Sequence, residues 1–118
     1  MTDEILHESL TQTKPYTVLI LKAGPRYSPP GPDRPPEVAA TIFRHGKRNM
    51  RLRLAGLLPI ICPIADGSGL TGVSVFAATP EEVDRIYAAD PAVQAGMLTY
   101  EIHPTRSFPG SALPDLEA

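Results

Sequence analysis

Two apolar runs separated by four turn residues, with a helical segment on each side, narrow the fold of this chain more than any other feature. "LLPIICPIA" (57–65) and "TGVSVFAA" (71–78) are strand-like, and "DGSG" (66–69) between them is turn chemistry. Strands joined by so short a Gly-rich turn are antiparallel neighbours. Upstream, "PYTVLILKA" (15–23) is an apolar, β-branched run closed by Gly24-Pro25. Downstream, "MLTYEIH" (97–103) alternates Leu98, Tyr100 and Ile102.

The two helical segments have their own punctuation. The first is predicted from Pro35 to Ala55, with prolines at its first turn and Gly56 as its stop. At 100° per residue, Ala39, Ile42, Phe43, Gly46, Met50 and Leu54 form the apolar side expected to face the core. Arg44, Lys47, Arg48 and Arg51 form a solvated basic side, and Arg53 falls inside the apolar arc without an explanation. The second helix starts at Thr79, with Pro80 at its first position and Glu82 three residues after the cap, a capping-box pattern. Val83, Ile86 and Tyr87 are its apolar stripe, and a short turn of helix, 91–95, follows Asp90-Pro91 before Gly96.

The order is therefore β-α-β-β-α-β. That is an α+β, ferredoxin-like unit: a four-stranded antiparallel sheet with two helices on one face. Its strands are apolar on both sides, so the second face needs a cover, and a second copy of the chain is the simplest one. A homodimer packed through its sheet faces is expected. The domain is taken as 15–105, with an N-terminal extension at 1–14 and a C-terminal tail at 106–118.

Charge and composition exclude several classes of function. A formal net charge of −2 does not suit a protein that neutralises nucleic-acid phosphates. No run is long enough to span a membrane. The start, "MTDEILHESLTQTK", has acids where a secretory leader has bases, so a cytoplasmic protein is expected. The single cysteine, Cys62, cannot form an internal disulfide, and its apolar surroundings predict a buried, inert thiol. The 14 prolines cluster in the tail and in loop 24–36, a long connection of the kind that covers a site.

Of the three histidines, His7 lies in the polar extension and His103 at the end of the last strand. His45 is in the middle of the first helix, about 120° from the centre of its apolar side, on a flank shared with Val38, Asn49 and Leu52. That is the rim, where a cleft opens. No spacing suggests a metal site, and no Gly-rich phosphate loop suggests a cofactor. Asp66 begins the hairpin turn, and Asp90 stands where it caps the turn 91–95.

The ordered set His45, Gly56, Cys62-Pro63, Gly72 and "DPAVQAG" (90–96) resembles the YCII-related family across residues 15–105. The resemblance implies a dimeric α/β barrel of ferredoxin-like units, and a His/Asp dyad made of His45 and Asp90. Asp90 would hold the imidazole's tautomer while His45 moves a proton in an isomerisation or elimination on a small organic, aromatic-derived substrate. Asp66, Tyr16 and Tyr100 are further candidates for polar groups of the pocket. Cys62 stands where the family has Gly, and Ala92 where it has an aromatic residue, so substrate preference does not transfer. The alternative is a dimeric module that binds a small molecule or a protein without converting it. On a third reading Asp90 is only a cap and His45 a surface residue.

Overall fold

A computed structural model describes residues 1–111 and 113–116. The elements run α1 (Asp3–Thr11), β1 (Lys14–Ala23), α2 (Pro36–Leu54), β2 (Ile60–Pro63), β3 (Leu70–Phe76), α3 (Pro80–Ala88), α4 (Pro91–Gln94) and β4 (Leu98–Ser107). The architecture is α+β: an open four-stranded antiparallel sheet in the order β2-β3-β1-β4, with four helices. This is compatible with the ferredoxin-like unit expected from the sequence.

Alternation along the strands sends Thr17, Leu19 and Leu21 of β1 and Ser74 and Phe76 of β3 into the interior. Tyr100 and Ile102 of β4 lie opposite Leu21 and Leu19 and pack on the same side. Val83 and Tyr87 of α3 and Ala92 of α4 complete this core. Phe76 meets Tyr87 edge to face, with ring centroids 5.8 Å apart. The capping pattern before α3 forms a true N-cap, with the Glu82 amide donating to the Thr79 hydroxyl at 3.2 Å.

On the other side of the sheet, Val18, Ile20, Val73 and Val75 are half-buried and lie outside the core cluster. Cys62 pairs with Val73 and is exposed. The buried thiol expected from its apolar run is corrected: Cys62 belongs to a short outer strand. Only Ile60–Pro63 of the expected run 57–65 is strand, because Leu58 turns inward to the core instead.

The chain around α2 departs furthest from expectation. Its boundaries are as the prolines and Gly56 require, but Val38, Thr41 and Asn49 are its buried residues. Phe43, Met50 and Leu54 of the apolar arc are 68%, 49% and 81% exposed. The helix thus turns the flank carrying His45 inward and leaves its apolar arc beside an open cavity. Arg53 is exposed, so its place in that arc needs no special device.

The predicted N-terminal extension contains a helix, α1, capped by Thr2 and with no buried residue. Because it stands away from the body, the radius of gyration is 16.5 Å, above the roughly 13–14 Å of a compact chain of this length. The last strand runs to Ser107, beyond the expected domain boundary. Pro104 is tolerated within it because β4 is an edge strand. The expected tail, 106–118, lies partly outside the described residues.

One close approach ties the fold to the cavity. The Gly24 amide donates to the Met97 carbonyl at 2.8 Å, and the Arg26 amide to the Gly96 carbonyl at 2.9 Å. A Cβ on Gly24 would lie 2.5 Å from the Gly96 carbonyl oxygen, so only glycine fits. This seam anchors the start of loop 24–36 against the segment that follows Asp90.

Candidate active site

Asp90 is fully buried and uses its two oxygens differently. Oδ2 accepts from the amides of Ala92 (3.0 Å) and Val93 (3.3 Å), capping α4. Oδ1 lies 3.0 Å from Nδ1 of His45, across 45 positions of sequence. The cap and the contact with His45 therefore coexist on one carboxylate. Burial works against the charged carboxylate, but the hydrogen bond and charge of His45, with the two backbone amides, outweigh it and hold Asp90 below its ordinary pKa.

Two further side chains extend this pair. Asn49 Nδ2 lies 3.3 Å from His45 Nε2, and Tyr87 donates its hydroxyl to Asn49 Oδ1 at 2.6 Å. These contacts assign the tautomer. Asn49 Oδ1 accepts from Tyr87, so Nδ2 donates to Nε2, which places the Nδ1 proton of His45 toward Asp90. Burial, helped by the Asp90 charge, pushes the Tyr87 phenol well above its ordinary pKa, so it remains a donor. Arg48 is the fifth member. Its Nη1 is 3.6 Å from Asp90 Oδ1, buried and without a hydrogen-bond partner.

His45 and Asn49 line a cavity of about 710 Å³ between α2 and the inner face of the sheet. Leu21, Ile42, Met50, Ile61 and Leu98 form much of its wall, and loop 24–36 contributes Tyr27, Pro30 and Arg34. The loop thus borders the cavity, as its length suggested. A largely apolar pocket with a few converging polar groups is the usual form of a small-molecule site.

The structure brings together His45 and Asp90, and it separates the other three candidates from them. Asp66 is exposed in the hairpin turn and accepts from the Ser68 amide at 3.0 Å; the Ser68 hydroxyl first, and then that amide, hold its carboxyl below its ordinary pKa. Tyr16 borders a separate shallow pocket near Pro80 and Thr105. Tyr100 packs beside Tyr87 and donates to Asp84 at 2.6 Å, and desolvation together with that acid pushes its phenol up to about 12. None of these three lines the cavity beside His45. Sequence reasoning missed Asn49, Tyr87 and Arg48. The repeat Val38, Thr41, His45, Asn49, Leu52 was the available signal, but its polar members hide it from a hydrophobicity count.

His103 is on the uncovered sheet side, with Nε2 3.0 Å from Glu101. Among the described residues, no group of three or more His, Cys, Asp or Glu side chains could hold a metal ion. Among them, too, no helix is long and apolar enough to cross a membrane. Compared with known proteins, the chain matches no protein-family model and no curated protein.

Proposed function

We propose that this protein is a small cofactor-free enzyme of YCII-like type that moves a proton on a small organic substrate bound between α2 and the sheet. The observation that carries this reading is the 3.0 Å contact between a buried Asp90 carboxylate and Nδ1 of His45, which itself lines a largely apolar cavity. Nδ1–H points at Asp90, so Nε2 holds the lone pair and is the proton acceptor. Asn49 touches it at 3.3 Å, a long contact that an incoming C–H or O–H group replaces at low cost. Asp90 then stabilises the imidazolium that forms.

The test is a screen of small lactones, enols and haloaromatic acids for isomerisation or elimination. His45→Ala should lower turnover of any substrate found by about 10²–10⁴-fold, the usual contribution of a positioned general base. Circular dichroism should show the fold intact. Undiminished turnover removes His45 from the chemistry. A binding module is the second reading, favoured by the fact that Asn49 already satisfies Nε2. Saturable ligand binding without conversion supports it.

The same proposal includes a homodimer built as a dimeric α/β barrel. Its support is the strand order β2-β3-β1-β4 and the apolar outer face of Val18, Ile20, Val73 and Val75. Light scattering should give twice the 12.7 kDa chain mass, and Val73→Arg should return the monomer. A monomeric wild type rejects the dimer.

A further inference from the structure

The cavity beside His45 carries charge of one sign. Apart from His45, its charged lining residues among those described are Arg34, Lys47 and Arg51, and no Asp or Glu joins them. The ion pairs found among the described residues are Lys22–Glu101, His45–Asp90, Arg48–Asp90 and His103–Glu101, so these three cations have no carboxylate partner there. Arg48, next to Lys47 in sequence, points about 100° away from it on α2 and lies against Asp90.

Two of these three cations are held at the cavity wall by neighbouring groups. Lys47 Nζ sits 5.1 Å from the centre of the Phe43 ring, and the Arg34 guanidinium 5.7 Å from that of Tyr27. Arg34 Nε also donates to the Ser28 carbonyl at 2.9 Å, which fixes the guanidinium in loop 24–36. Lys47 and Arg51 are four residues apart on α2, so their side chains are neighbours. Like charges so placed repel, and an anion between them turns that repulsion into attraction. The remaining wall is mainly apolar, with Leu21, Ile42, Met50, Leu54 and Ile61, and its uncharged polar members include Asn49, Thr71 and Ser74. It is made from the middle of a helix and from strands, without the helix N-terminal amides that usually cradle a phosphate.

We propose that the cavity binds an amphipathic organic acid. Its apolar body lies against Leu21, Ile42 and Ile61, and its carboxylate is held at the rim by Lys47 and Arg51, with Arg34 closing from the loop. The proposal rests on the cavity being the site that His45 serves, and it names the substrate class of that site.

The experiment uses isotope-labelled full-length protein and six probes: octanoate, 3-phenylpropanoate, 2-naphthoate and the primary amide of each. Nuclear magnetic resonance titrations follow the methyl groups of Leu21, Ile42 and Ile61 and the His45 ring. At least one acid is expected to bind about tenfold tighter than its amide, the factor a charge-assisted contact supplies. Added salt should weaken the acid and leave the amide unchanged. The double variant Lys47→Gln/Arg51→Gln should abolish the preference without weakening the amide.

Equal binding of acid and amide, or a preference that survives the double variant, overturns the proposal. If the His45 ring still shifts in that case, the reading of His45 as the site residue survives alone. An acid preference that depends on the two cations but leaves the His45 ring unmoved upholds the proposal and removes the dyad from the site. Binding of none of the three acids overturns it.

Discussion

Asp90→Ala is expected to lower the stability of the protein by about 3 kcal/mol, because it removes a buried charge that serves two sets of donors. The amides of Ala92 and Val93 lose their acceptor, His45 Nδ1–H loses its acceptor, and the Arg48 guanidinium is left buried without a counter-charge. For a domain of this size the melting temperature should fall by about 12 °C. Asp90→Asn should cost less, about 1–2 kcal/mol, since one side-chain oxygen still caps α4 while its NH₂ faces His45. That orientation favours the opposite tautomer, with the proton on Nε2, so on the proposed mechanism the Asn variant should fold but lose turnover.

The pH dependence has a definite sign. Asp90 has a folded pKa below 3.8, so its charge stabilises the fold above that pH, and the contribution is lost as pH falls through the lowered value. The stability gap between wild type and Asp90→Ala should therefore be full at neutral pH and close only below pH 3.8. Urea unfolding at several pH values measures it. A gap of less than about 1 kcal/mol at pH 7 would mean that water replaces the carboxylate without loss.

Gly24→Ala is the second large effect, and here backbone meets backbone. The new methyl would lie 2.5 Å from the Gly96 carbonyl oxygen and 3.0 Å from the Met97 carbonyl carbon. Neither atom belongs to a flexible side chain, so the strands must part. A loss of about 3 kcal/mol is expected, the upper end for overpacking. The same displacement lifts the start of loop 24–36, so the variant should also bind cavity ligands more weakly at temperatures where it is fully folded. Wild-type stability in Gly24→Ala would show that this seam relaxes freely.

Much of this architecture was legible because its signals are local. Thr79 followed by Pro80 and Glu82 marks a helix start, Gly56 a helix end, and "DGSG" a hairpin; each is settled by its immediate neighbours. The alternation of Leu98, Tyr100 and Ile102 likewise needs no partner to be read. Cys62 and α2 were misread for one common reason. Hydrophobic periodicity tells which side of an element avoids water, but not what will cover it. Phe43, Met50 and Leu54 look like core residues and instead border the cavity, whereas Thr41 and Asn49 look like surface residues and are buried. Asp90 illustrates the same limit from the other direction. Its capping role follows from Pro91 beside it, while His45, 45 positions away, reaches it only through the packing of α2 on α4. Asn49, Tyr87 and Arg48 are further from view still, because each looks ordinary until the imidazole needs a neighbour.

The outward turn of the apolar arc of α2 separates two pressures that most proteins must satisfy with the same residues. Leu19, Leu58, Phe76 and Tyr87 are fully buried in the core, where a change of volume is costly. Phe43, Met50 and Leu54 shape the mouth of the cavity while contributing little to the core, so substitutions there alter what enters at small thermodynamic expense. Changes at these three positions therefore reshape the cavity mouth while leaving the sheet and the His45–Asp90 contact beneath it in place.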